Sequence, residues 1–282
     1  IRSESSTQDQ TIDILLLGGS VLEQTGEQWE AEVARQTGRP AKVFNVAVSA
    51  HTSRDSRIKY SRLASRNFDW VVVYHGINDV RMNHATDEDF RGDYTHCGWY
   101  HGFEKRRKLG RLNVLDVTDS VFTALTTRGR PSPDLYPLAR TLRTPVPFGK
   151  NIAAIASQAT AANAKVVLMT FAWYLTADYS QAAFVSGQLD YGEGDYAMPA
   201  EDWGEPSQVP HVLQAQNEQI RRVATEHSTG GSIVLVDQAE LLQGGSANFS
   251  DICHLTPDGC RRFVEHAVRA AVQQHGRLRI VR

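Results

Sequence analysis

LLLGGSVLEQ, residues 15–24, runs an apolar stretch into two glycines and a serine and then into residues that favour a helix. The full run IDILLLGG (12–19) predicts a buried strand, and VLEQTGEQWEAEVARQTG (21–38) predicts a helix closed by Gly38. The alternation continues down the chain. AKVFNVAV (41–48) is a second strand with a helix from Ser53 to about Arg66, and FDWVVVYHG (68–76) is a third strand. NIAAIASQATAANA (151–164) feeds the strand KVVLMTFAW (165–173), and VLQAQNEQIRRVATEH (212–227) precedes SIVLVDQA (232–239). TPDGCRRFVEHAVRAAVQQHG (256–276) is a closing helix. Five strands rich in Val, Ile and Leu, separated by helices, predict an α/β fold: a parallel sheet covered on both faces, in three layers.

The chain has 282 residues, enough for one substantial core, so residues 1–282 are expected to form a single domain. With 41% hydrophobic and 22% charged residues and a net charge of -2, the composition gives no case for nucleic-acid binding. No apolar run reaches the roughly 20 residues of a membrane helix. The opening IRSESSTQDQT has no apolar signal core; starting at Ile1, it is expected to be a processed or truncated start, which leaves an extracytoplasmic location open. Three cysteines, Cys97, Cys253 and Cys260, leave room for one disulfide and lack metal-ligand spacing. Two stretches break the rhythm: residues 80–148, with the basic centre EKRRKLGR, and residues 174–210, acidic and without Lys or Arg. Each reads either as solvated surface or as a lid over a site.

In a parallel sheet, ligands gather at the carboxyl ends of the strands, and Ser20 stands just past the first of these ends. GGSVLE matches neither GxGxxG nor the GxxxxGK[ST] loop, which weakens a phosphate-binding reading. As a nucleophile, the serine needs a base, an orienting group and an oxyanion site. SDICHLTPDG supplies Asp251 three residues before His254, a spacing that lets a carboxylate reach Nδ1 of the imidazole and leaves Nε2 for the serine proton. YHGIND brings Asn78 to the end of the third strand, where its amide can donate to an oxyanion. NVAVSAHTS offers backbone N–H groups around Ala50 at the end of the second.

These four blocks, GGS, NVAVSAHTS, GIND and DICH, resemble those of the SGNH hydrolases, also called GDSL-type lipases and acylhydrolases. The resemblance spans residues 14–254 and implies a flavodoxin-like sandwich with Ser20 as nucleophile, His254 as general base and Asp251 as its partner. It also implies an oxyanion hole from the amides of Ser20 and Ala50 with Asn78; separately, no cofactor or metal is expected. Two positions depart from the family pattern: Gly19 stands where many members have Asp, and Ala50 where Gly is usual. The alanine keeps a backbone donor but costs about 1–2 kcal/mol if that position is left-handed.

Each residue also has a plainer role open to it. Ser20 can cap a helix, Asn78 and Asp79 can form a turn, Asp251 can cap a turn, and His254 can be a packed loop histidine. His51, Gly76 and Trp173 are candidates for lining a substrate pocket, while His84, His96 and His101 have no ligand spacing. The expected partner is a small-molecule or glycan ester. Trp and Tyr in HCGWYHGF, FAWYL and YGEGDYAMPAEDWG favour O-acetyl groups on carbohydrate, the same aromatics also being fit to pack a lid. A lipase, thioesterase or acyltransferase using the same triad is an alternative, as is a non-catalytic carbohydrate-binding module.

Overall fold

A computed structural model describes residues 11–63, 65–97, 131–227 and 231–280, with 275–280 as backbone only. The EKRRKLGR segment and His101 lie outside the described residues. The five expected strands are all present: β1 (Ile12–Gly18), β2 (Ala41–Asn45), β3 (Trp70–Tyr74), β4 (Lys165–Met169) and β5 (Ile233–Val236). They pair in parallel in the order β2-β1-β3-β4-β5. Crossovers therefore leave β1 and β3 in opposite directions, which opens a crevice at the carboxyl ends of those two central strands.

The helices are α1 (Ser20–Thr25), α2 (Gln28–Thr37), α3 (Ser53–Leu63), α4 (Ile77–Val80), α5 (Pro145–Ala161), α6 (Gln181–Val185), α7 (Val209–Glu226), α8 (Gln238–Leu241) and α9 (Pro257–Ile280). Side chains alternate across the strands, and both faces are buried. Ile14, Leu16, Val72, Val167 and Val234 join Trp29 and Val33 of α2 and Phe263, Ala267 and Val268 of α9. Leu15, Leu17, Val71, Val73, Val166 and Ile233 join Tyr60 of α3, Phe148, Ile152 and Ile155 of α5, and Ile220 and Val223 of α7. Each fully buried Val or Leu contributes about 1.5–3 kcal/mol relative to exposure. That two-sided burial is why the strands read as continuous apolar runs.

Several boundaries differ from the sequence reading, β2 and β5 ending early at Asn45 and Val236 among them, and three of the differences have a clear cause. The helix expected over 21–38 is broken at Gly26 and Glu27 into α1 and α2. A Cβ on Gly26 would press on the Asn45 amide, which donates to the Leu22 carbonyl at 3.2 Å, so the chain turns there around β2. The helix before β4 starts at Pro145, six residues early, because proline loses nothing in a first turn, where N–H groups have no partner anyway. β4 ends at Met169 because Phe171 turns to α7, where Asn217 pairs with its N–H and C=O at 2.7 and 2.9 Å. All three cysteines are free thiols, so the single disulfide that the count allowed is not formed.

Candidate active site

β1 delivers Ser20 to the crevice. The N-cap of α1 is Gly19 and no side chain caps it, so the serine hydroxyl is not spent on the helix. Ser20 Oγ instead lies 2.7 Å from His254 Nε2, and His254 Nδ1 lies 2.6 Å from Asp251 Oδ2. All three side chains are buried. The 251–254 turn is self-supporting: Asp251 Oδ1 accepts the N–H of Cys253 at 2.7 Å and of His254 at 2.6 Å. It is pinned from outside as well, since Gln24 of α1 donates to the Leu255 carbonyl at 3.1 Å. Thr256 Oγ1 accepts the Gly259 N–H at 3.1 Å and so caps α9 directly after the turn. A carboxylate bonded in this way fixes the imidazole with Nδ1 protonated and Nε2 facing the serine.

Asn78 sits in α4 at the end of β3. One N–H of its amide donates to the His51 carbonyl at 3.1 Å, which leaves the second free for a ligand. Gly19 permits this approach: a Cβ there would stand 2.7 Å from Asn78 Nδ2. Next to Asn78, the Asp79 carboxylate accepts Ser53 N–H at 2.9 Å, Ser53 Oγ–H at 2.6 Å and Tyr94 Oη–H at 2.9 Å. Burial pushes Asp79 up to about 7, against the lowering effect of those three donors. These bonds tie α4 to the start of α3 and hold Asn78 at the crevice.

Ala50 occupies the third position of the turn Val48–His51, closed by a His51 N–H to Val48 C=O bond at 3.1 Å. Its φ is 65°, a left-handed value that favours glycine, and the residue is exposed. Glu23 holds this loop by accepting Ser49 N–H at 2.7 Å. The amides of Ser20 and Ala50 donate to no other group among the described residues. Ala50→Gly should relieve the strain against a smaller entropic cost and raise stability by about 1 kcal/mol, read as a higher Tm. An unchanged or lower Tm would mean that the alanine is not strained.

Of the other candidates, Gly76 lines a cavity of about 10 Å³ with Gly19, Ser20, Asn78 and Phe171. A Cβ on Gly76 would meet the Phe171 ring at 2.5 Å, so glycine is required there. His51 contributes its carbonyl; its ring is half-buried, and burial lowers its pKa. His75 is buried with Nε2 2.7 Å from Ser56 Oγ, and burial pulls it down to about 3. Trp173 is half-buried against the core. The rings beside the imidazole are instead Tyr196 and Trp203, with centroids 5.7 and 5.8 Å from that of His254. Both come from the 174–210 insertion, and their composition was visible in the sequence though their position was not.

One group of potential metal ligands occurs among the described residues, Asp251, Cys253 and His254, with donor atoms within 4.8 Å of one another. His254 Nδ1 is already engaged by Asp251, and burial and the Asp251 charge raise the Cys253 thiol well above its ordinary value. A metal would have to displace the bond that orients the imidazole. The arrangement can move a proton from a hydroxyl to an imidazole and present N–H groups to an anion, which is the equipment of acyl transfer.

A family model described as the GDSL-like lipase/acylhydrolase family matches residues 16–262. Among solved structures, the lipase Lip_vut3 from a goat rumen metagenome superimposes with a TM-score of 0.51 at 10% identity, over 92% of this chain and 97% of that one. A catalytic mutant of Axe2, an acetylxylan esterase from Geobacillus stearothermophilus, does so with a TM-score of 0.50 at 13% identity, over 94% of each chain. At such identities the likeness is one of fold. No curated protein sequence matches the chain.

Proposed function

Since this chain belongs to the GDSL-like lipase/acylhydrolase family, a family of ester-hydrolysing enzymes, we propose that it is a serine esterase that removes short acyl groups, acetyl above all, from carbohydrate. The observation that carries the mechanism is the unbroken relay from Ser20 Oγ through His254 to Asp251, at 2.7 and 2.6 Å. His254 Nε2 takes the Ser20 proton as Oγ bonds to the ester carbonyl carbon. The carbonyl oxygen becomes an oxyanion held by the N–H groups of Ser20 and Ala50 and by the free N–H of Asn78. The C–O bond to the alcohol breaks, and the departing alkoxide takes the proton from the imidazolium. Water repeats the sequence on the acyl-enzyme: His254 removes its proton, and Ser20 leaves reprotonated with release of the acid.

The space beside the serine supports a small acyl group. The cavity bounded by Gly19, Ser20, Gly76, Asn78 and Phe171 offers about 10 Å³, close to the room for one water-sized group. A methyl group suits such a space and an alkyl chain does not. Tyr196, half-buried and next to the imidazole that hands its proton to the leaving alcohol, offers a ring face on which a sugar can stack. Axe2, which shares the fold, is an acetylxylan esterase; that agreement supports the choice of alcohol.

The test is turnover of para-nitrophenyl acetate, butyrate and octanoate, followed by release of acetate from acetylated oligosaccharides. Acetate should be preferred to butyrate by at least about tenfold in kcat/KM, the scale on which a tight pocket rejects added methylenes. A preference for octanoate would replace the carbohydrate ester with a lipid one. Failure of an organophosphonate to label Ser20 would remove the esterase mechanism itself.

A further inference from the structure

The second insertion does more than flank the site. Its chain passes over the Asp251–His254 pair, and the Met198 N–H donates to Asp251 Oδ2 at 2.7 Å. This is the same oxygen that receives the proton on His254 Nδ1, at 2.6 Å. The other carboxylate oxygen is filled by the two amides of its own turn. Of the two carboxylate oxygens, Oδ2 is thus the one that joins the imidazole to a segment more than fifty residues away in sequence.

That segment is built to stay in place. Tyr191 Oη donates to the Tyr174 carbonyl at 2.9 Å, and the Gly192 N–H donates to the Phe249 carbonyl at 2.8 Å. Beyond Met198, the Ala200 N–H donates to Tyr179 Oη at 2.7 Å, and Tyr179 in turn donates to Glu201 at 2.7 Å. Arg81, just past α4, donates to the Asp202 carbonyl at 2.9 Å and lies over the Trp203 ring. Met198 is 37% exposed, so it is held by its backbone rather than by core packing.

We infer that residues 191–203 form a strap whose Met198 N–H is a positioning group for the reaction, tempering the charge that Asp251 Oδ2 presents to the His254 imidazole. The inference rests on the reading of His254 as general base, and it adds that the insertion supplies part of the relay. An N–H on Oδ2 draws negative charge away from the imidazole. Its removal leaves the carboxylate a stronger partner for the imidazolium, so the imidazole holds its proton to higher pH. Loss of alignment has the opposite sign, because a lengthened Asp251–His254 contact releases the proton earlier. The charged and titratable groups around the pair are Arg81 behind Trp203, the buried Cys253 thiol 3.7 Å from Nδ1, Tyr191 and Tyr196 on the strap, and Glu23 beyond Tyr196. None of them changes in the variants below.

Met198→Pro removes this one N–H, and Met198→Ala keeps it. The readout is the titration of the His254 imidazole by NMR on histidine-labelled full-length protein, which requires no substrate and so separates failure of this inference from failure of the esterase reading. Met198→Pro should raise the midpoint by about 0.5 pH unit, roughly a threefold gain in proton affinity, while Met198→Ala leaves it in place. If an ester is turned over, the acid limb of kcat/KM moves by the same amount, with kcat lowered more than KM is changed. Tyr179→Phe loosens the strap two residues from the amide and should produce a smaller rise; it decides the matter if the proline variant does not fold. An unmoved or lowered midpoint in the folded variant would overturn the inference.

Discussion

Ser20→Ala is expected to lower kcat for a short-chain ester by about 10⁶, the scale on which loss of a hydroxyl nucleophile acts in enzymes of this type. The substitution deletes only Oγ, whose described partner is His254 Nε2 at 2.7 Å. An alanine methyl fills the space without burying a new polar atom, and α1 loses nothing, since its cap is the Gly19 backbone. The fold should therefore persist, and circular dichroism and Tm should stay close to wild type. Any residual rate should be insensitive to organophosphonate, because the remaining N–H donors stabilise an oxyanion without offering a nucleophile. A variant that keeps more than about a hundredth of wild-type turnover would transfer the role to another group.

Asp251→Asn should cost about 10⁴ in kcat, for a reason that can be read from its bonds. Both carboxylate oxygens accept two hydrogen bonds: Oδ1 from the amides of Cys253 and His254, Oδ2 from the Met198 amide and the imidazole Nδ1–H. An asparagine must put its NH₂ on one side or the other. Placed at Oδ1, it confronts two amide donors and opens the turn. Placed at Oδ2, it confronts the Met198 amide and can be satisfied only if the imidazole flips to the tautomer with its proton on Nε2. That tautomer cannot accept the Ser20 proton. Low activity should therefore accompany lower stability, by about 1–3 kcal/mol for a buried group with a mispaired donor. A rate within tenfold of wild type would show that the carboxylate is not needed to hold the tautomer.

The two predictions rest on features of unequal legibility. The strands were readable because burial on both faces removes polar alternation, so that β1 and β3 appear as bare apolar runs. Ser20, Asn78, Asp251 and His254 were readable because each stands at a strand end or in a short turn whose geometry is local. The strain at Ala50 was anticipated only through the resemblance, in which Gly is usual at that position, and only on the condition that the turn is left-handed there. Less could be read where the cause lies across the fold. The break at Gly26 depends on Asn45 of β2 reaching over α1. The early end of β4 depends on Asn217, which helical spacing alone marks only as one more polar residue on α7. Met198 is the limiting case, because a backbone N–H is present at every residue except proline and nothing in its letter says that it will meet Asp251. The aromatics of the insertion were visible, yet the choice of Tyr196 and Trp203 over Trp173 as neighbours of the imidazole is set by the path of the strap.

The separation of 234 positions between Ser20 and His254 makes the proposed activity a report of completed folding. β1 finds both its neighbours using residues up to Tyr74, so the serine is displayed on a sheet still under construction. His254, proposed above as its base, arrives only with the 251–256 turn, which is brought to the crevice as α9 packs against α1, α2 and β5. A nascent or clipped chain without that closing piece carries an ordinary alcohol at the tip of β1.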